Sequence, residues 1–107
     1  MKRLVIAEIA RADLTSIRRY STRTWGPGAD RQVHECLQDC LKALTRGTEF
    51  TRSRDDLWPR IRMATSGRHS IFFETDDAQV LVVRVLHQSM DYRRHLGATG
   101  EAADETN

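Results

Sequence analysis

The sequence predicts an α+β domain of element order β-α-α-β-β-β, a helix hairpin packed on a small antiparallel sheet. Two blocks of apolar residues recur at helical spacing: Ala10, Leu14 and Ile17, then Val33, Leu37, Cys40, Leu41 and Leu44. Downstream, three runs rich in branched and aromatic residues are separated by turn-forming residues between Arg60 and Leu86. A chain of 107 residues has room for one such domain and one modest core.

Taken in order, 3–7 (Arg-Leu-Val-Ile-Ala) reads as a short strand. A helix follows from Ala10, with Tyr20 continuing its apolar stripe and Trp25 closing it; Glu8 and Asp13 lie near its start, where the helix dipole favours acids. Gly26-Pro27-Gly28 breaks it, and the second helix runs to a natural stop at Gly47. So short a break predicts an antiparallel hairpin. Residues 48–59 show no period and read as an exposed loop ending in Trp58-Pro59. Strands are expected at Arg60–Thr65, Arg68–Thr75 and Gln79–Leu86, with turns at Ser66-Gly67 and Asp76-Asp77. His87 to Leu96 reads as a polar, basic extension. Gly97 to Asn107 has no Leu, Ile, Val, Phe, Tyr or Trp and is expected to be a disordered acidic tail, leaving 1–96 as the single domain.

Counting outward from a two-residue turn at Ser66-Gly67 sorts the strands into two faces. Ile61, Met63, Phe72, Leu81, Val83 and Val85 share one, which is apolar enough to receive the helices. Arg60, Arg62, His69 and Arg84 share the other with Ile71, Phe73, Val80 and Val82. That mixed face is expected to be exposed and to meet a partner.

Charge and composition remove several classes. Residues 1–96 hold all 17 basic residues and 12 of the 15 acids, a net +5, while 97–107 carry −3. Only Lys2 and Lys42 among the bases are lysines, so the basic character is mostly guanidinium, suited to planar anions. The charge is modest and no base-reading helix is evident, so direct nucleic-acid binding is not expected. The apolar runs Leu4–Ala7 and Val80–Val83 are far too short to span a bilayer, and no signal peptide is visible; a cytoplasmic location is expected. Cys36 and Cys40, four apart on one helix, read as two reduced core thiols. No ligand spacing calls for a metal, and no cofactor is expected.

Asp13-Leu14, Ile17, Tyr20 and Trp25-Gly26 resemble the first helix of ParE toxins of bacterial toxin–antitoxin systems. The likeness continues through Asp56-Leu57-Trp58-Pro59-Arg60-Ile61-Arg62, Gly67-Arg68-His69-Ser70-Ile71-Phe72 and Val82-Val83-Arg84-Val85-Leu86-His87, and ends in Met90-Asp91 and Arg93-Arg94-His95-Leu96. It spans about residues 4–96 in order and at the family's spacing. The sequence departs from the family at Ala7-Glu8, where a Ser/Thr-Pro helix start is common, and at Phe72-Phe73-Glu74, where Phe-Tyr-Arg is more usual.

The resemblance implies a RelE-like fold and a ParD-type antitoxin as partner in a hetero-oligomer. It implies growth arrest by binding DNA gyrase, without turnover. Under it, Leu14, Ile17, Tyr20, Trp25, Ile71, Phe73, Val80 and Val82 are the expected antitoxin-binding residues. Arg60, Arg62, Arg84, Arg93, Arg94 and His95 are the expected target-binding set. RelE relatives cut mRNA on the ribosome, so a nuclease is the alternative; it would need a base, an acid and cations at the phosphate, for which His87, Tyr92, Arg62 and Arg84 are the candidates. The dense Lys/Arg/Tyr set of those nucleases is not reproduced here. A third alternative is an inactive relative that only binds antitoxin.

Overall fold

The computed structural model describes residues 2–47 and 50–96. Its elements are β1 (Arg3–Ile6), α1 (Glu8–Trp25), α2 (Pro27–Arg46), β2 (Arg52–Ser53), β3 (Arg62–Ser66), β4 (His69–Thr75) and β5 (Gln79–His87). The acidic tail anticipated over 97–107 lies outside the described residues.

The helix hairpin turns on a single residue. Gly26 has φ 88°, a conformation that costs a side-chain-bearing residue dearly, and its N–H closes α1 on the Thr22 carbonyl at 3.0 Å. Pro27 then opens α2 at a position whose N–H no helix needs. Gly47, left-handed at φ 71°, ends α2 by donating to the carbonyls of Ala43 and Leu44. At the other end α1 starts from Ala7 with no side-chain cap, an omission worth about 1 kcal/mol.

The sheet runs β1-β5-β4-β3-β2. β2 to β5 are antiparallel, whereas β1 lies parallel to β5, with Leu4 opposite Val80 and Ile6 opposite Val82. Within the anticipated loop, Arg52 and Ser53 form a two-residue strand against Met63 and Arg62. β3 begins at Arg62 rather than at Arg60, because Arg60 has φ 69° and donates its N–H to Asp55 Oδ1 at 2.9 Å. The β4–β5 turn is closed by Asp76, whose Oδ1 accepts from the N–H groups of Ala78 and Gln79, each at 2.8 Å.

Both faces of the sheet are covered, and the helices take the one expected to be open. Ile71, Phe73, Val80 and Val82 are 0–3% exposed, packed with Ala64 and Val85 against Ala10, Leu37, Cys40, Leu41 and Leu44. The opposite face buries Ile61, Met63, Phe72, Val83 and Leu86 under Leu96, with Leu57, Trp58, Met90 and Tyr92 around them. Two physical reasons explain the inversion. The basic extension is a second cover: it bends into a helical turn over 92–96 and drives Leu96 into the sheet. The arginines that marked the other face as wet lie where their long side chains reach polar partners. A bulge adds a further shift, since Phe72 pairs with Arg84 but Phe73 with Val82, leaving Val83 extra. Beyond it β5 is turned over, so Val85 joins the helix-facing core.

Candidate functional site

An apolar groove runs between the helix hairpin and the β3–β4 turn. Its larger part, about 430 Å³, is walled by Tyr20, Trp25, Val33 and Cys36 on the helices and by Gly67 and Arg68 at the turn. A second part of about 330 Å³ continues along α1 between Ile17, Val85 and Met90. Tyr20, His69 and His87 line both. Tyr20 and Trp25 meet edge to face at 5.7 Å yet stay 57% and 56% exposed, so a large aromatic surface faces solvent beside an open cleft.

On the groove floor the imidazoles of His69 and His87, opposite each other on β4 and β5, stack edge to face at 5.4 Å. Burial, and then the neighbouring His87, push the His69 ring below the usual histidine range. His87 Nδ1 accepts the Ser89 N–H at 3.1 Å and lies 2.7 Å from Ser89 Oγ, so the neutral ring carries its hydrogen on Nε2.

Beside the groove a buried ion pair joins α1 to the sheet. Arg84 Nε and Nη2 donate to the two oxygens of Asp13 at 2.7 and 2.9 Å, and the Val85 N–H donates to Asp13 as well, at 3.0 Å. The same guanidinium donates through Nη1 to the His95 carbonyl at 3.1 Å.

At the loop end, Arg54 grips Asp56 through two contacts of 3.0 and 3.1 Å, which holds the Asp56 carboxyl below its ordinary range. Arg93 reaches across from the C-terminal turn to the Asp56 carbonyl at 3.1 Å and its carboxylate at 3.9 Å. Arg54 and Arg93 therefore meet at Asp56, joining the 54–60 loop to the 92–96 turn on which Arg94 is exposed, whereas Arg60 lines a different hollow with Glu74, Asp76 and Gln79.

Residues 4–92 match the family model described as ParE toxin of type II toxin-antitoxin system, parDE. The chain belongs to the ParE toxin family. Toxin ParE1 of Caulobacter vibrioides is 32% identical over 97 residues, covering 91% of this chain and all of that protein. Toxin ParE of Escherichia coli is 31% identical, covering 90% and 94%, and Toxin ParE1 of Mycobacterium tuberculosis 30%, covering 88% and 97%. A solved structure from the chromosomal ParDE system of P. aeruginosa superposes with a TM-score of 0.68 over 81% of this chain and 96% of its own, at 20% identity, which supports the fold.

For a ParE protein the expected residues distribute unevenly. Of the antitoxin set, Tyr20 and Trp25 are exposed on the groove, while Leu14 and Ile17 are half-buried against the helix-side core. Ile71, Phe73, Val80 and Val82 are a correction: the helices already cover them, so they offer no surface. Of the target set, Arg60, Arg93 and Arg94 are exposed and His95 is half-buried. Arg84 is a second correction, since it is 8% exposed and committed to Asp13 and His95. Arg62 is half-buried with Nε and Nη2 on Thr51 Oγ1 at 3.2 and 3.0 Å.

The nuclease candidates do not converge. His87 lies in the groove under α1, whereas Tyr92 is bonded to Ser70 Oγ at 2.9 Å and packed on Phe72 on the other face of the sheet. Arg62 is held at β3 by Thr51, and Arg84 at the free edge of β5 by Asp13. Of the two cysteines only Cys40 is in the core; Cys36 is exposed on the groove wall, correcting the expectation of two core thiols. No cluster of three metal-ligating side chains occurs among the described residues, and no helix there is long and apolar enough to cross a membrane.

Proposed function

We propose that this ParE-family protein arrests growth by binding DNA gyrase and inhibiting supercoiling, without turnover, and that a ParD-type antitoxin neutralises it. The family match across residues 4–92 carries the reading. The dispersal of His87, Tyr92, Arg62 and Arg84 over two sheet faces and several strands supports binding rather than cleavage, because in-line attack on a phosphate needs its acid, base and cations within one reach. Arg93 and Arg94 on the C-terminal turn, with Arg60, are the target-facing residues. The antitoxin takes the aromatic groove around Tyr20 and Trp25, and the resulting complex is a cytoplasmic hetero-oligomer.

Purified protein added in parallel to a gyrase supercoiling reaction and to a cell-free translation extract tests the reading. Supercoiling is expected to stop while translation continues. Translation lost with supercoiling intact refutes it and makes His87 and Tyr92 the residues to mutate.

A further inference from the structure

We infer that Arg84 is a positioning residue: through the His95 carbonyl it holds the C-terminal turn that presents Arg93 and Arg94, and Asp13 on α1 fixes Arg84 for that task. The inference rests on Arg93 and Arg94 being target-facing. Arg84 lies on β5 beyond the point where β1 ends, so its side chain is at a sheet edge with α1 on one side and the end of the turn on the other. Its guanidinium spends Nε and Nη2 on Asp13 and Nη1 on His95, a forked arrangement that fixes the plane of the group and aims the third donor.

The turn is otherwise anchored by Leu96 in the outer core, by the Tyr92–Ser70 bond and Phe72 contact, and by Arg93 on Asp56. Those contacts fix its start and its apolar side. The His95 carbonyl, near its end, is fixed by Arg84, and the orientation of Arg94 between them depends on both ends. Asp91 winds the turn, accepting the His95 N–H on its carbonyl at 3.2 Å and the Arg94 N–H on its carboxylate at 3.3 Å. A residue buried inside the fold thus governs cations displayed on the surface.

Arg84→Lys separates this role from stability. A lysine keeps the positive charge beside Asp13 but is a single point of contact, unable to bond Asp13 twice and His95 as well. The expected result has three parts. Amide exchange at Arg94, His95 and Leu96 quickens at least ten-fold while Ile71 to Phe73 keep wild-type protection. The protein concentration for half-inhibition of supercoiling rises at least ten-fold. In Arg84→Ala, ethylguanidinium restores both readouts where equal sodium chloride does not, a recovery that general loss of structure would not show.

Unchanged exchange in Arg84→Lys overturns the inference. So does quickened exchange with wild-type inhibition, which confines the pair to stability. If wild-type protein itself leaves gyrase untouched, the gyrase reading has failed on its own, and growth arrest on induction replaces supercoiling as the functional readout for the same variants.

Discussion

Removing the arginine from the Asp13–Arg84 pair should destabilise the fold far more than removing both charges together. The two side chains are only 10% and 13% exposed, so Arg84→Met leaves a carboxylate out of water with, among the described residues, the Val85 N–H as its donor. Breaking a buried pair from one side costs about 3–5 kcal/mol, and the slight exposure here points to the lower end. For a domain of this size, each kcal/mol moves the melting temperature by roughly 4 °C or more, so Arg84→Met should melt at least about 12 °C lower. In Asp13→Asn/Arg84→Met the amide still accepts the Val85 N–H, no charge is stranded, and the methionine fills much of the arginine's volume. That double variant should return to within about 1 kcal/mol of wild type, since apolar replacement of a buried pair is often neutral. Urea unfolding of the four proteins gives the cycle. A loss below about 1 kcal/mol in Arg84→Met, or a double variant no better than the single, would refute the account of a desolvated pair.

Other perturbations follow from the same geometry. Because the folded state holds His69 below its unfolded value of 6.5, the unfolded chain takes up the proton first; stability should therefore fall as pH drops below about 6.5, and His69→Gln should flatten that part of a urea-unfolding series between pH 7 and 5. Asp76 is depressed by the backbone N–H groups of Ala78 and Gln79, so its contribution is present above pH 3.8 and lost as pH falls through its lower folded value; Asp76→Ala should lower the melting temperature at pH 7 and shrink the difference near pH 2. Phe73→Ala should cost about 3–5 kcal/mol of unfolding free energy as a core truncation, whereas Trp25→Ala should leave stability within about 1 kcal/mol and weaken antitoxin binding by calorimetry. Arg93→Ala/Arg94→Ala should keep the melting temperature within a few degrees and abolish supercoiling inhibition; full inhibition by that variant would contradict Arg93 and Arg94 as target-facing residues.

Much of the architecture was legible because it depends on spacing alone. The stripe from Val33 to Leu44 and the breakers Gly26 and Gly47 placed both helices, and Ser66-Gly67 and Asp76-Asp77 placed the sheet turns. Sorting Phe72, Leu81 and Val83 against Ile71, Phe73, Val80 and Val82 was also sound, because alternation along a strand is local. What alternation could not say was which set the helices cover, since a sheet buried on both sides has no wet face to betray it. Arg62 and Arg84 misled on this point: their charge signalled solvent, but Thr51, 11 residues upstream, and Asp13, 71 residues upstream, receive them. The bulge at Phe72/Phe73 carries no mark that periodicity can detect. Of the candidate site, Tyr20 and Trp25 are legible only as two of the eight residues the resemblance implies, while Val33 and Cys36 become groove wall because the hairpin brings them to the β3–β4 turn.

β1 pairs with β5 as far as Val82, and among the described residues no strand continues beside β5 past that point. Such a margin invites strand addition from another chain, the usual route to edge-to-edge aggregation. Here a single carboxylate stands in for the missing neighbour, since Asp13 takes up the Val85 N–H that an incoming strand would need. A strand arriving at that margin must first evict an acid already locked to Arg84, so its own carbonyl competes against a charge. Asp13 therefore takes out of that margin the donor on which an added strand would otherwise close its first bond.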